Sequence, residues 1–144
     1  MSERPRLTQT SGSVQNLSHI YTVAGATTAT EVQFVNKTGA TVTITGATVV
    51  FDTDVTANDT ANFAIQLINK GLAGAGSTAI TSLVTFNVTR GNLSKLVPLT
   101  LTVSTTAANL LVAAGEVVTL DKTVNGVAGL ALPNGKLALQ FKFV

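Results

Sequence analysis

Along most of this chain apolar and polar residues alternate with a period of two, the spacing at which one face of a β-strand is buried and the other solvated. The pattern is clearest in residues 46–71, GATVVFDTDVTANDTANFAIQLINKG. There Val49 and Phe51 share one face of a strand, and Phe63, Ile65 and Leu67 share one face of the next. Between them, residues 52–60 are rich in Asp, Asn and Thr, whose side chains bond nearby backbone and favour turns over ladders. The unit reads as strand, polar loop, strand.

The rest of the chain follows the same rule. Residues 14–23 form a weak strand with Leu17 and Tyr21 set among polar residues, and residues 24–29 a turn of small residues. Residues 31–35 are a short strand, and Val42 and Ile44 alternate with threonines in another. Asn36-Lys37-Thr38-Gly39 lies between them as a strong turn signal, which predicts a hairpin. Gly46 marks a bulge or bend. Residues 79–88 read as one long strand with Val84, Phe86 and Val88 on a face. Residues 96–103 read as another, aligning Leu99, Leu101 and Val103 and starting near Pro98, which cannot donate to a ladder. Residues 107–114, AANLLVAA, mix helix and strand formers over too short a span for an unsupported helix, so a turn and connector are expected. Residues 116–124 are a strand, and 125–135 a loop rich in glycine. The last strand is the cleanest, with Leu137, Leu139, Phe141 and Phe143 on one face and Gln140 and Lys142 on the other. The C-terminus is therefore expected to be pinned in a sheet.

About eight or nine short strands, with turns between them and no convincing helix, predict an all-β fold: a single-domain, jelly-roll-like sandwich or barrel. The domain spans residues 14–144 and follows an extended, flexible arm, residues 1–13, which has little apolar content to fold back on a core. A chain of 144 residues suits one such domain. Its core is aliphatic with a few Phe anchors, since the chain has no Trp and one Tyr.

Charge narrows the function. Only 11% of residues are charged, against about 25% in an average soluble protein. Six lysines (37, 70, 95, 122, 136 and 142) are scattered singly, and only Arg4 and Arg6 sit close together, so no basic face for nucleic acid is expected. A surface this poor in charge suits one covered by other protein. There is no cysteine, which removes disulfides and thiolate metal sites. The N-terminal segment lacks the apolar core of a signal peptide, and no run approaches the ~18 apolar residues that would span a membrane as a helix.

Candidate chemistry is thin. Asp52, Asp54, Asn58 and Asp59 bring a calcium loop to mind, but that pattern needs Gly at its sixth position and Glu at its twelfth. Counted from Asp52, those positions hold Ala57 and Phe63, so a solvated or interface loop is the better reading. His19 is the single histidine and has no advertised partners for a metal site or a catalytic triad. Glu31, Glu116 and the aspartates would serve a glycosidase only alongside the aromatic platforms that this chain lacks. The glycines of residues 71–76 follow neither phosphate-binding order. No enzyme, cofactor or metal is expected.

The wording of residues 46–71, then TSLVTFNV, then LTLTVSTTAANLLVAAGEVVTL, and the closing LALQFKFV together resemble small β-sandwich decoration (cement) proteins on the heads of tailed bacteriophages. The resemblance covers about residues 46–144, and residues 1–35 do not share it. It implies a homotrimer bound outside an expanded capsid, with the major capsid protein as partner and neither nucleic acid nor membrane. It also implies a place on the virion exterior, reached from the host cytoplasm during assembly. Expected contacts to capsid or subunit are Arg4, Pro5 and Arg6 on the arm, and Asp52, Asp54, Asn58 and Asp59 on the acidic loop. A head-fibre or tail-fibre module with an adhesive role is the alternative, followed by a secreted carbohydrate-binding jelly roll.

Overall fold

The period-two segments become strands in a computed structural model of the chain, which describes residues 14–21, 27–126 and 131–144. In chain order these are β1 (Val14–Tyr21), β2 (Ala29–Val35), β3 (Val42–Phe51), β4 (Asn62–Gly71) and β5 (Thr78–Ala79). They continue as β6 (Val84–Thr85), β7 (Leu99–Leu101), β8 (Leu111–Val112), β9 (Val117–Asn125) and β10 (Gly135–Phe143). Among the described residues the only helical turn is a short 3₁₀ segment, Ala107–Leu110, which runs straight into β8.

All pairings are antiparallel, and the strands form two sheets that face each other as a sandwich without closing into a barrel. One sheet runs β1-β10-β3-β7, with β8 also on β3; the other runs β2-β9-β4-β5, with β6 also on β4. The long strands β3 and β10 are central in the first sheet, as β4 and β9 are in the second. The C-terminal strand is therefore held on both sides, and Val144 N–H adds a bond to the Thr41 carbonyl at 3.3 Å.

Alternation explains the core. Val49 and Phe51 of β3, Phe63, Ile65 and Leu67 of β4, Leu120 of β9 and Leu137, Leu139 and Phe141 of β10 all point inward and are buried. Phe51, Phe63 and Phe86 form one aromatic cluster, with ring centroids 4.3 to 6.5 Å apart. Phe34 and Phe141 form a second contact, at 5.4 Å, nearer the other end of β10. Edge-to-face and tilted pairs of this kind add to the area they bury. The bend expected at Gly46 is a bulge. Gly46 pairs with Gln140 and Ile44 with Phe141, so Thr45 is the extra residue.

Three expectations fail, each for a local reason. β2 and β3 are not a hairpin, because β2 pairs β9 while β3 pairs β10, β7 and β8; residues 36–41 turn a corner between sheets. Residues 79–88 are not one strand. After β5 the chain leaves β4, Thr81 bridges to Val103, and Ser82 N–H donates to the Thr102 carbonyl at 2.8 Å, so only β6 returns to β4. Val88 is consequently exposed, although Phe86 two residues earlier is buried. Residues 96–103 shrink to β7 because Leu96 takes a positive φ of 60° and Pro98 follows it. Leu99, on this short edge strand, is only half-buried. These breaks raise the count to ten strands among the described residues. The expected arm, residues 1–13, lies outside the described residues.

Candidate interaction surface

At the end of the sandwich where β3 finishes and β4 begins, two long loops are tied together. Residues 52–61 face residues 86–97 through a two-way backbone bridge, Val55 N–H to Leu93 O at 2.8 Å and the reverse at 2.9 Å. Side chains complete the join. Asp54 Oδ1 accepts from Lys95 N–H at 2.7 Å, Asp59 Oδ1 accepts from Val88 N–H at 2.8 Å, and Ala57 N–H donates to Asn92 Oδ1 at 2.9 Å. Asn58 Oδ1 accepts from Thr60 and Ala61, an Asx turn that brings the chain into β4. The loop therefore has a structural cause for its composition: two of its carboxylates satisfy amides of the opposite loop.

This arrangement bears on the expected contact residues. Asp52, Asp54, Asn58 and Asp59 are all exposed at one end of the molecule, while Asp54 and Asp59 hold the two loops together and Asn58 turns its own loop into β4. Asp52 instead lines a cleft of about 390 Å³ with Ser18, Val50, Leu96, Lys136 and Ala138. Small Ser18 and Ala138 leave the floor of that cleft open on the outer face of the first sheet. Arg4, Pro5 and Arg6 lie outside the described residues. His19 stands in β1 opposite Leu137, and among the described residues no group of three or more His, Asp or Glu gathers where a cation would sit.

A second depression, of about 270 Å³, has Gln66, Thr81, Ser82, Thr102, Ser104 and Asn109 in its walls beside apolar Ala79 and Val103. Its geometry is fixed from within, since Thr81 Oγ1 accepts from Leu67 N–H at 3.0 Å and Gln66 Nε2 donates to the Thr81 carbonyl at 2.8 Å. No aromatic side chain lines it.

Two buried polar side chains were not legible as such. Asn36 is almost wholly buried, and its amide donates to the carbonyls of Ala40 and Val112, both at 2.8 Å. Its Oδ1 accepts from Thr38 N–H and Oγ1, so the side chain is the hub of the β2–β3 corner and ties it to β8. Lys122, in the middle of β9, is 1% exposed and stands opposite Ile65 on the inner face. Burial pushes its ammonium below the ordinary lysine pKa. The sequence signal for both exists: an Asn opening a turn, and a Lys at an inward position of an otherwise apolar alternation.

The exposed surface carries large apolar side chains. Leu72 (74%), Leu96 (67%) and Val88 (59%) stand out on loops, and Val97 is exposed beside Leu96. The positive φ of Leu96 costs a residue with a Cβ about 1–2 kcal/mol, and its amide is held by the Phe51 carbonyl at 2.9 Å. The backbone thus pays to present a leucine outward at the lip of the Asp52 cleft.

No protein-family model matches the chain, and no curated protein matches it. Among solved structures it is similar to one described as "Structure of infectious bursal disease virus Gx strain", at 11% identity and a TM-score of 0.41. The likeness covers 97% of this chain and 36% of that one, so this chain spans about a third of its length.

Proposed function

We propose that this chain is a structural protein of a virion, a decoration protein that binds the outside of an expanded bacteriophage capsid and stabilises it. The observation that carries the reading is the surface. A sandwich with 11% charged residues displays Leu72, Leu83, Val88, Leu96 and Val97 on its loops, and two of its acidic side chains brace the loop that carries Val88, Leu96 and Val97. Rigid loops tipped with apolar side chains suit permanent protein contacts better than a solvated face. The loop wording that resembles decoration proteins points the same way. No part of the reading calls for catalysis.

The physics of the role is linkage. A ligand that binds the expanded lattice and not its precursor stabilises the expanded lattice by mass action, and many identical weak contacts add through multivalency. A homotrimer would serve this by presenting three copies to the shell at once. Negative-stain images of virions labelled for this protein test the reading. Label spread over the head is the expected result, and label confined to tail or head fibres would replace it with the adhesive alternative. The one feature that favours that alternative is the hydroxyl-lined depression at Thr81 and Ser104, which offers hydrogen bonds to a polyol.

A further inference from the structure

Past β5 and β7 the edges of the two sheets are joined, and the join shapes a small site. Thr81 bridges to Val103, Ser82 N–H donates to the Thr102 carbonyl at 2.8 Å, and Ser104 N–H donates to the Ile80 carbonyl at 2.7 Å. These bonds fix the walls of the depression of about 270 Å³ that Gln66, Thr81, Ser104 and Asn109 line.

Each of these four side chains commits one polar function to the fold and keeps another. Thr81 is buried, and its Oγ1 accepts from Leu67 N–H at 3.0 Å, which leaves the hydroxyl proton to donate. Ser104 Oγ accepts from Thr106 N–H at 3.1 Å and from the Asn109 amide at 3.4 Å, with the same result. Gln66 Nε2 donates to the Thr81 carbonyl at 2.8 Å. Gln66 Oε1 and Asn109 Oδ1 accept from no group among the described residues. Two donors and two acceptors therefore remain, held by the fold beside the apolar surface of Ala79 and Val103.

We propose that this depression holds one neutral pyranose ring, the terminal residue of a glycan. The groups left over select the ligand. No charged side chain among the described residues lines the site, so nothing there pairs with an anion or a cation. An apolar ligand would strand the two donors and two acceptors away from water. A sugar hydroxyl both donates and accepts, so neighbouring hydroxyls of one ring meet both kinds of group. The C–H face of the ring lies on Ala79 and Val103, in place of an aromatic platform. The volume is below the roughly 300–1,000 Å³ of drug-sized sites, which suits one ring and not two. Exposed Thr102 and Thr105 also line it, so its mouth is open for the rest of the glycan. With so few contacts a single site binds with a millimolar Kd, and avidity comes from many copies. The site does not rest on the decoration role, since a chain on the head or in a fibre carries it equally.

The probes are the methyl glycosides of glucose, galactose, mannose and N-acetylglucosamine, added to the isotopically labelled full chain and followed by the amide NMR signals of Ser82 and Ser104. At least one glycoside should move both signals and saturate in the millimolar range. Ala79→Leu puts an isobutyl chain where the ring sits and leaves the four polar groups in place, and it should weaken that binding at least tenfold. Asn109→Ala, on the short 3₁₀ segment, removes one acceptor and should weaken it at least threefold, which keeps the test decisive if Ala79→Leu does not fold. No movement of the two signals with any of the glycosides would overturn the proposal, as would unchanged binding by the folded variants. Glycerol moving the signals as far at equal concentration would also overturn it, because the site would then recognise hydroxyls and no ring. Failure here leaves the head location of labelled virions untouched, and label on fibres leaves this site standing.

Discussion

Phe141 anchors the end of the core away from the Phe51, Phe63 and Phe86 cluster. Its ring lies 5.4 Å from Phe34 across the sandwich and 6.1 Å from Phe143 along its own strand. Phe141→Ala removes both contacts and leaves a cavity, so it should lower stability by roughly 3–5 kcal/mol in a denaturant titration. A neutral effect would contradict the packing described. Lys122 poses the opposite case, a polar group held where its alternation calls for an aliphatic one. Because burial lowers its pKa in the fold, the folded state binds fewer protons than the unfolded chain between that lowered value and the ordinary 10.5. Stability from this group therefore rises with pH through that window and is least below it. Denaturation midpoints of the parent should climb with alkaline pH relative to Lys122→Met, and parallel curves would refute this. At this scale much was legible. Val49, Phe51, Phe63, Ile65, Leu67, Phe86, Leu101, Leu139 and Phe141, which alternation places on strand faces, are buried, whereas Leu99 is half-buried. Leu99 missed for a reason that no single residue announces, since periodicity gives the face a side chain takes and not whether its strand ends a sheet.

Strands were legible where the alternation is long, as in β3, β4, β9 and β10, and illegible where partners change along the way. The polar run between β3 and β4 was legible as a loop, whereas its docking on residues 86–97 was not, because turn chemistry is local and the partner lies about thirty residues on. The β2–β3 corner teaches the same. Asn-Lys-Thr-Gly carries the chemistry of a tight turn, and Gly39 does take a positive φ of 78°, but nothing in four residues encodes which sheet comes next. The information lies in a distant partner: the Asn36 amide reaches the Val112 carbonyl 76 residues away and holds the corner against β8. Asn36→Ala removes the buried donor to the Val112 carbonyl and the acceptor of the Thr38 amide, and leaves the Ala40 carbonyl with the Thr38 hydroxyl alone. It should cost at least ~2 kcal/mol, with Asn36→Asp no better because a carboxylate cannot donate to those carbonyls. Thermal melts of the two variants beside the parent decide the matter, and an unchanged Asn36→Ala would mean that the corner is held by backbone alone.

For the whole molecule, the proposed attachment arm is expected to be separable from the sandwich core. The hydrophobic core draws on residues from Ala29 to Phe143, so the folded body contains its own stabilising contacts. Residues 1–13 instead carry Glu3, Arg4, Pro5 and Arg6 followed by small polar residues. Pro5 restricts its own φ and biases Arg4 toward extended backbone, and thirteen residues fully extended reach about 40 Å, far enough to cross from one subunit to another. In the proposed capsid role this segment would act as a tether, its two guanidinium groups offering paired hydrogen bonds to carboxylates of the shell. If the tether serves binding and not folding, the two properties must part when it is removed. Deletion of residues 1–12 should leave the melting temperature of the isolated protein nearly unchanged while weakening its co-sedimentation with expanded capsids. Arg4→Ala with Arg6→Ala should reproduce most of that loss in the full-length chain. A truncated protein that decorates capsids with undiminished affinity would show that attachment lies wholly on the sandwich, with the apolar loop tips at Val88 and Leu96 as the place to look next.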